Sequence, residues 1–257
     1  MAVERISTGS YDLNKWLYGG YEKGIISMIA GPPGSGKTNF VILTACSQAK
    51  KGNKIIFIDT EGGFSTDRVK QIVGENFEDV LKNIFLISPS DFEEQKKFFM
   101  TLNDKLKKEQ ISLIVVDGMA MLYRLELGDA RKEDGKQEIS HSSVKARRGD
   151  ENIRKINREV ARQMKVLSEI SKKQNIPVII TNQVYAGFQS EEDWKKGLER
   201  EMNIVGGDLF QYWSKCIIEL KNDRGKRKAF LLKHRSLPQK EMGFEIKNDG
   251  IFKKGWI

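Results

Sequence analysis

The 257-residue chain has only two cysteines, Cys46 and Cys216, and they lie far apart. That excludes a disulfide framework and a cysteine zinc cluster, and it points to a reducing compartment. Long hydrophobic runs are also missing. The longest, such as "IISMIA" at 25–30, are far too short to cross a bilayer, and the opening "MAVERISTGS" has no apolar signal-peptide core. The expectation is a cytoplasmic protein with no membrane partner. No internal repeat and no low-complexity tract interrupts the chain. Acid is in deficit: 44 Lys+Arg against 35 Asp+Glu give a net charge of +9. Such a balance favours a polyanionic partner, although a lysine-rich surface alone also produces it. With 39% apolar residues the chain can still build a core, and its length suits one domain spanning 1–257.

What is present is a regular alternation. "IISMIA" (25–30), "KIIFID" (54–59), "NIFLIS" (83–88), "LIVVD" (113–117) and "VIITN" (178–182) read as strands buried in a parallel sheet. Helical patterns over 38–51 and 91–109 separate them, the first ending at Gly52. A third helix sets Ile153, Ile156, Val160, Met164, Leu167 and Ile170 at steps of three or four, with Asp150 as its N-cap. Beyond Gly206-Gly207 short strands joined by turn signals predict an antiparallel end to the sheet. The fold class is therefore α/β, a mostly parallel sheet flanked by helices. Segments 128–151 and 186–205 fit neither pattern and read as mobile loops.

"GPPGSGKT" fits G-x-x-x-x-G-K-T between a strand and a helix, the context a phosphate-cradling loop requires. Candidate nucleotide contacts run through Gly31, Pro32, Pro33, Gly34, Ser35, Gly36, Lys37, Thr38 and Asn39. The glycines let backbone N–H groups turn inward, Lys37 reaches the β and γ phosphates, and the Thr38 hydroxyl binds Mg²⁺. Asp117 ends a buried strand, where a carboxylate is costly without a cation, so it is the second metal candidate. Glu61, just past another strand, can orient or deprotonate an attacking water. Asn182 and Gln183 end a fourth strand with neutral amides able to bond phosphate.

"GPPGSGKT", "FIDTEGGF…DRV", "LIVVDG" and "VIITNQV", in that order, resemble the core of the RecA/RadA recombinase superfamily over about residues 5–252. Within it, the opening "ISTGSYDLNKWLYGGYEKG" and the "IDTEGG" variant are most similar to the short archaeal RadB paralogues. The resemblance implies a RecA-like P-loop fold, ATP and Mg²⁺ as cofactors, Lys37, Glu61 and Gln183 as catalytic residues, and Gln183 as γ-phosphate sensor. It implies that Arg68, in "DRV", stacks on adenine, and that "KHR" provides Lys233 and Arg235 as a finger into a neighbouring subunit's site. Two residues apart on a strand, they would project to one side.

Departures from the superfamily matter as well. Only about two dozen residues precede the first predicted core strand, so the expectation is a protein without the N-terminal DNA-binding domain and docking linker of strand-exchange recombinases. After Gln183, Glu191, Glu192, Asp193, Glu199 and Glu201 outnumber Lys195, Lys196 and Arg200. Basic charge gathers instead over 221–240, making Arg224, Lys226, Arg227 and Lys228 the candidate DNA-phosphate surface. The resulting expectation is an ATP- and DNA-binding recombinase paralogue in recombination and repair, hydrolysing ATP weakly without strand exchange. Its expected partners are DNA, other recombinase or junction-processing proteins, and a second copy of itself. The alternatives are a vigorous RecA- or KaiC-type motor and an ATP-gated protein-interaction module that never touches DNA.

Overall fold

The computed structural model of the protein describes residues 3–137, 143–186 and 202–255. Two short strands, β1 (Arg5–Ile6) and β2 (Tyr21–Glu22), pair with each other around helix α1 (Tyr11–Trp16). The apolar runs then form β3 (Ile26–Gly31), β4 (Lys54–Asp59), β5 (Ile84–Ile87), β6 (Ile111–Asp117) and β7 (Val178–Ala186). Between them lie α2 (Lys37–Ala49), α3 (Thr66–Val73), α4 (Phe77–Lys82), α5 (Phe92–Lys108), α6 (Met121–Gln137) and α7 (Ser143–Gln174). The chain continues as β8 (Met202–Ile204), α8 (Asp208–Trp213), β9 (Ser214–Asp223), β10 (Lys226–His234), β11 (Lys240–Lys247) and β12 (Gly250–Lys253).

The large sheet runs β12-β11-β10-β9-β3-β7-β6-β4-β5, with β8 paired to β7. From β9 to β5 each neighbour is parallel, whereas β9 to β12 form the expected antiparallel end. Alternate side chains feed two cores, which is why the parallel strands read as unbroken apolar runs. Ile29, Phe57, Val115 and Ile179 pack with Phe40 and Val41 of α2, Val69 of α3 and Val80 of α4. Met28, Ile58, Val116 and Ile180 pack with Leu102 of α5 and Val160, Met164 and Leu167 of α7. Helix α5 starts where Asp91 accepts the Glu94 N–H at 2.8 Å, while the Glu94 carboxylate accepts the Ser90 N–H at 2.8 Å.

One expected irregular segment is largely regular. Helix α6 runs on to Gln137 and α7 already begins at Ser143, so 128–151 is helical at both its ends, and 138–142 lie outside the described residues. Asp150 accordingly sits inside α7 rather than at its start. Alanine, arginine, lysine and glutamate are good helix formers, and in this stretch they outweigh the isolated glycines. In the 186–205 stretch, β7 extends to Ala186 and β8 returns alongside it. The acidic excess over 191–201 lies outside the described residues.

Met164 is completely buried in α7, whereas Ile153 on the same face is half-exposed. Met164→Ala is expected to cost about 2–5 kcal/mol in urea unfolding, and Ile153→Ala under ~1 kcal/mol. Equal losses would show that the whole apolar stripe of α7 is packed.

Candidate nucleotide-binding site

Central strand β3 ends at Gly31, and α2 begins six residues later at Lys37. Gly36, at φ 105°, is the N-cap of α2, and a side chain there would meet Ile246 Cδ1 at 2.7 Å. A β-carbon on Gly31 would come within 2.8 Å of the Leu220 carbonyl in β9. Both glycines are thus needed for close approach, and the loop is backed by the antiparallel strands. The Ser35 hydroxyl oxygen is buried without a hydrogen-bond partner. Lys37 Nζ, almost fully buried, donates to the carbonyls of Gly31 at 2.9 Å and Pro32 at 3.1 Å. Burial lowers the pKa of its ammonium, while Glu61 and Asp117 nearby pull it back up.

Two buried aspartates lie side by side in register, Asp59 on β4 and Asp117 on β6, and they have opposite environments. Asp59 accepts N–H bonds from Glu61 at 3.1 Å, Gly63 at 3.2 Å and Phe64 at 2.8 Å, so its charge is spent shaping the following loop. Asp117 Oδ1 accepts the Thr181 hydroxyl at 2.5 Å, but its Oδ2 is buried with no partner. Desolvation raises its pKa to about 6. The Thr181 and Thr38 hydroxyls ease this, and Glu61 and Asp59 add to it. An unpaired buried carboxylate is a strong demand for a cation.

The loops close over this acid. Thr60 Oγ1 donates to the carbonyls of Asp117 at 3.1 Å and Gly118 at 2.7 Å, fixing the ends of β4 and β6 to each other. Glu61 Oε1 accepts from Gln183 Nε2 at 3.1 Å, which brings two of the three predicted catalytic side chains together. Asn182 does something else: its Nδ2 donates to the Val205 carbonyl at 2.8 Å, and its Oδ1 accepts the Gln183 N–H at 2.9 Å. This amide, expected to bond phosphate, instead anchors the chain's return after β8.

The donor set fits a magnesium nucleotide. A β-carbon on Gly63 would meet both Thr38 Oγ1 (3.3 Å) and Asp117 Oδ2 (3.6 Å), so a hydroxyl and a free carboxylate oxygen converge there. Among the described residues no group of three or more His, Cys, Asp or Glu could hold a metal alone. Mg²⁺ is commonly held by few protein oxygens, with phosphate and water completing its octahedron. The model of the Rad51 family matches residues 1–254. The chain belongs to the Rad51 family. It is 35% identical to the DNA repair and recombination protein RadB of Methanobrevibacter smithii, covering 96% of this chain and 95% of that one. RadB of Methanocaldococcus jannaschii is 38% identical over 93% of this chain and 98% of its own length. The expected RecA-like superfamily and fold are thereby established, and with them membership of the P-loop ATPases.

Within this Rad51-family fold, Arg68 bridges rather than dangles. Its Nε donates to Asn39 Oδ1 at 2.7 Å, and its terminal nitrogens donate to the carbonyls of Lys247 at 2.9 Å and Asn248 at 2.8 Å. The bonds occupy the guanidinium's edges, and a planar group so held has only its faces left for stacking. The two predicted finger residues take separate partners. A bulge between Leu231 and Lys233 shifts the register, and β10 stops at His234. Lys233 Nζ donates to the Gln211 carbonyl at 2.8 Å, whereas Arg235 pairs with the fully buried carboxylate of Glu22. Lys233 is level with Ile217, itself level with Met28, short of the P-loop and two strands away.

The candidate DNA surface forms the β9–β10 hairpin, whose two turn residues Arg224 and Gly225 both have positive φ, 48° and 85°. Glu219 is level with Ala30, so the tip reaches about 13 Å beyond that strand, at ~3.3 Å per residue. It overhangs the P-loop edge. Its charge is lower than the sequence count implies, because Lys228 pairs with Glu241 at 3.1 Å and Arg227 is half-buried. Sequence reasoning missed Asp59 and Thr181, the two residues that position the site. Each is a polar residue closing an apolar strand, in "IID"-like company at "FID" and "IIT", and that was the available signal.

A raised pKa means the folded protein favours protonated Asp117. Its stabilising contribution is full below about pH 4 and is lost as pH rises through about 6. At ~1.4 kcal/mol per tenfold change in proton affinity, keeping it ionised at pH 8 costs up to about 3 kcal/mol. Asp117→Asn is therefore expected to raise the melting temperature at pH 8 without Mg²⁺ and to change it little at pH 4. For the unmutated protein, Mg²⁺-dependent nucleotide binding should weaken as pH falls below about 6. A melting temperature lowered by Asp117→Asn at pH 8 would contradict this.

Proposed function

We propose that the protein binds ATP and Mg²⁺, binds DNA, and serves homologous recombination and DNA repair as a RecA-family paralogue, hydrolysing ATP slowly without strand exchange of its own. The observation carrying this reading is the unpartnered Asp117 Oδ2 beside Thr38, under a P-loop, in a chain whose relatives are named for DNA repair and recombination. Lys37 would exchange its bonds to the Gly31 and Pro32 carbonyls for phosphate oxygens, while the orphaned Ser35 hydroxyl gains a partner. Thr38 and Asp117 would hold the metal, which supplies charge neutralisation at the phosphates.

Glu61 would orient the attacking water. Gln183, bonded to it at 3.1 Å and set on the strand that leads to the β7–β8 return, would report the state of the γ-phosphate to that return. Nucleotide acts here as a ligand that biases two conformations, its effect set by differential affinity for them. Arg224 and Lys226 at the overhanging tip would meet DNA phosphates without reading sequence. Lys233 and Arg235, set away from the chain's own P-loop, would reach a nucleotide only in a second copy. No helix among the described residues is long and apolar enough to span a membrane.

Lys37→Ala is expected to abolish ATP binding in calorimetry, and unchanged affinity would refute the assignment of the loop. Glu61→Gln should retain ATP affinity and lower turnover by about 10²-fold or more. Turnover measured with and without single-stranded DNA, alongside the assembly's mass, separates switch from motor: steep stimulation or a defined ring would favour the motor. Arg224→Ala with Lys226→Ala should reduce the slope of log affinity against log salt by about 2 on duplex DNA.

A further inference from the structure

Helix α1 ends in a Schellman motif: the Gly19 N–H bonds the Asn14 carbonyl at 2.7 Å and the Tyr18 N–H bonds the Lys15 carbonyl at 3.3 Å. The residue at its left-handed position is Tyr18, with φ 55°, where glycine is the favoured residue. Its ring is not there for packing, since Tyr18 is 66% exposed. Tyr11, at the start of the same helix, is 80% exposed. Two aromatic rings are thus kept in water, one of them at a backbone position that disfavours any side chain. Neither folding nor the core explains them.

The two rings line one open depression of about 680 Å³ with Asn14, Lys15, Gly19 and Lys240. Lys240 Nζ stands 4.3 Å from the centre of the Tyr18 ring. No acid lines the depression: Asp12, the acid of α1, turns to accept the Lys253 N–H at 2.8 Å. Flat π faces interleaved with lysines, in a chain of net charge +9, are complementary to stacked bases joined by phosphates.

We infer that Tyr11, Tyr18, Lys15 and Lys240 form a stacking platform for single-stranded nucleic acid, separate from the nucleotide site and from the β9–β10 tip. This rests on the DNA-binding reading above and assigns the class of strand. Bases exposed in a single strand stack on the rings, while the lysines meet the flanking phosphates. A duplex, whose bases are already stacked, has little to gain from the platform.

The test is fluorescence anisotropy at two salt concentrations with a labelled oligothymidylate, an abasic strand of equal length and a duplex. The unmutated protein should prefer thymidylate to the abasic strand. Tyr11→Ala with Tyr18→Gly should weaken thymidylate binding at least about tenfold and leave abasic-strand and duplex affinity unchanged. Because glycine suits the left-handed position, Tyr18→Gly alone should keep or raise the melting temperature, so lost binding cannot be lost folding. Tyr11→Phe with Tyr18→Phe should restore the thymidylate preference. Persistence of that preference in the Tyr11→Ala, Tyr18→Gly protein overturns the platform while leaving DNA binding intact. A fall in assembly mass with strand affinities unchanged overturns it in favour of an interface between copies. Absence of binding to all three probes by the unmutated protein overturns the DNA-binding reading itself, and the platform with it.

Discussion

An unpaired charge sets the terms for this molecule. Asp117 closes a strand whose preceding residues, 113–116, are all apolar and buried, and one of its oxygens is buried without a hydrogen-bond partner among the described residues. Most proteins avoid such an arrangement because the desolvation of a lone carboxylate exceeds what nearby dipoles return. Here the surroundings hold it in place rather than relieve it. Thr181 donates to one oxygen and, through the same hydroxyl, accepts the Gly118 N–H at 2.7 Å, so carboxylate and loop are pinned together. Asp59, one strand away, is satisfied by three backbone donors. The contrast separates an acid satisfied by its own loop from one that keeps an oxygen without a partner among the described residues.

The register of the sheet then determines what can be coupled to that acid. Six parallel strands deliver their polar C-terminal ends to one edge, the position at which open α/β sheets form their crevice. The antiparallel pair β9–β10 adds a basic tip that overhangs the same edge. Gln183 joins two of the segments at this edge: its side-chain amide reaches Glu61, and its carbonyl accepts the Val205 N–H at 2.9 Å. Two hydrogen bonds therefore link Glu61 to the segment that follows β8.

The sheet was legible because burial on both faces leaves an unmistakable run of apolar residues, and β4, β5 and β7 begin within a residue of the expected positions. The P-loop, Asp117 and the Glu61–Gln183 pair were legible for a related reason: polar residues ending such runs stand out. Helix α6 and the start of α7 were not, since a charged helix with no strong apolar stripe looks like a solvated loop when helix-forming propensity is its only signal. The separate partners of Lys233 and Arg235 were not legible, because β10 ends at His234 and Arg235 turns to an acid far away in sequence, Glu22. Lys228 looked free because its acid, Glu241, lies on the next strand, just outside the charge window.

Arg235 brings these lines together. Glu22 is buried with no exposed side-chain surface, held by Arg235 and by Arg5 at 2.8 Å, with His234 Nε2 at 3.8 Å. If Arg235 left to serve a neighbour's nucleotide, Arg5 would be the remaining guanidinium on a carboxylate that has no water. Breaking one partner of a buried pair is far costlier than breaking a surface pair, because the charge left behind is uncompensated. The second guanidinium changes that arithmetic: Glu22 would keep a bonded counter-charge, and Arg235 is the more exposed of its two arginines. A buried acid with two arginines keeps a counter-charge if one of them leaves, whereas Asp117 Oδ2 has no hydrogen-bond partner among the described residues.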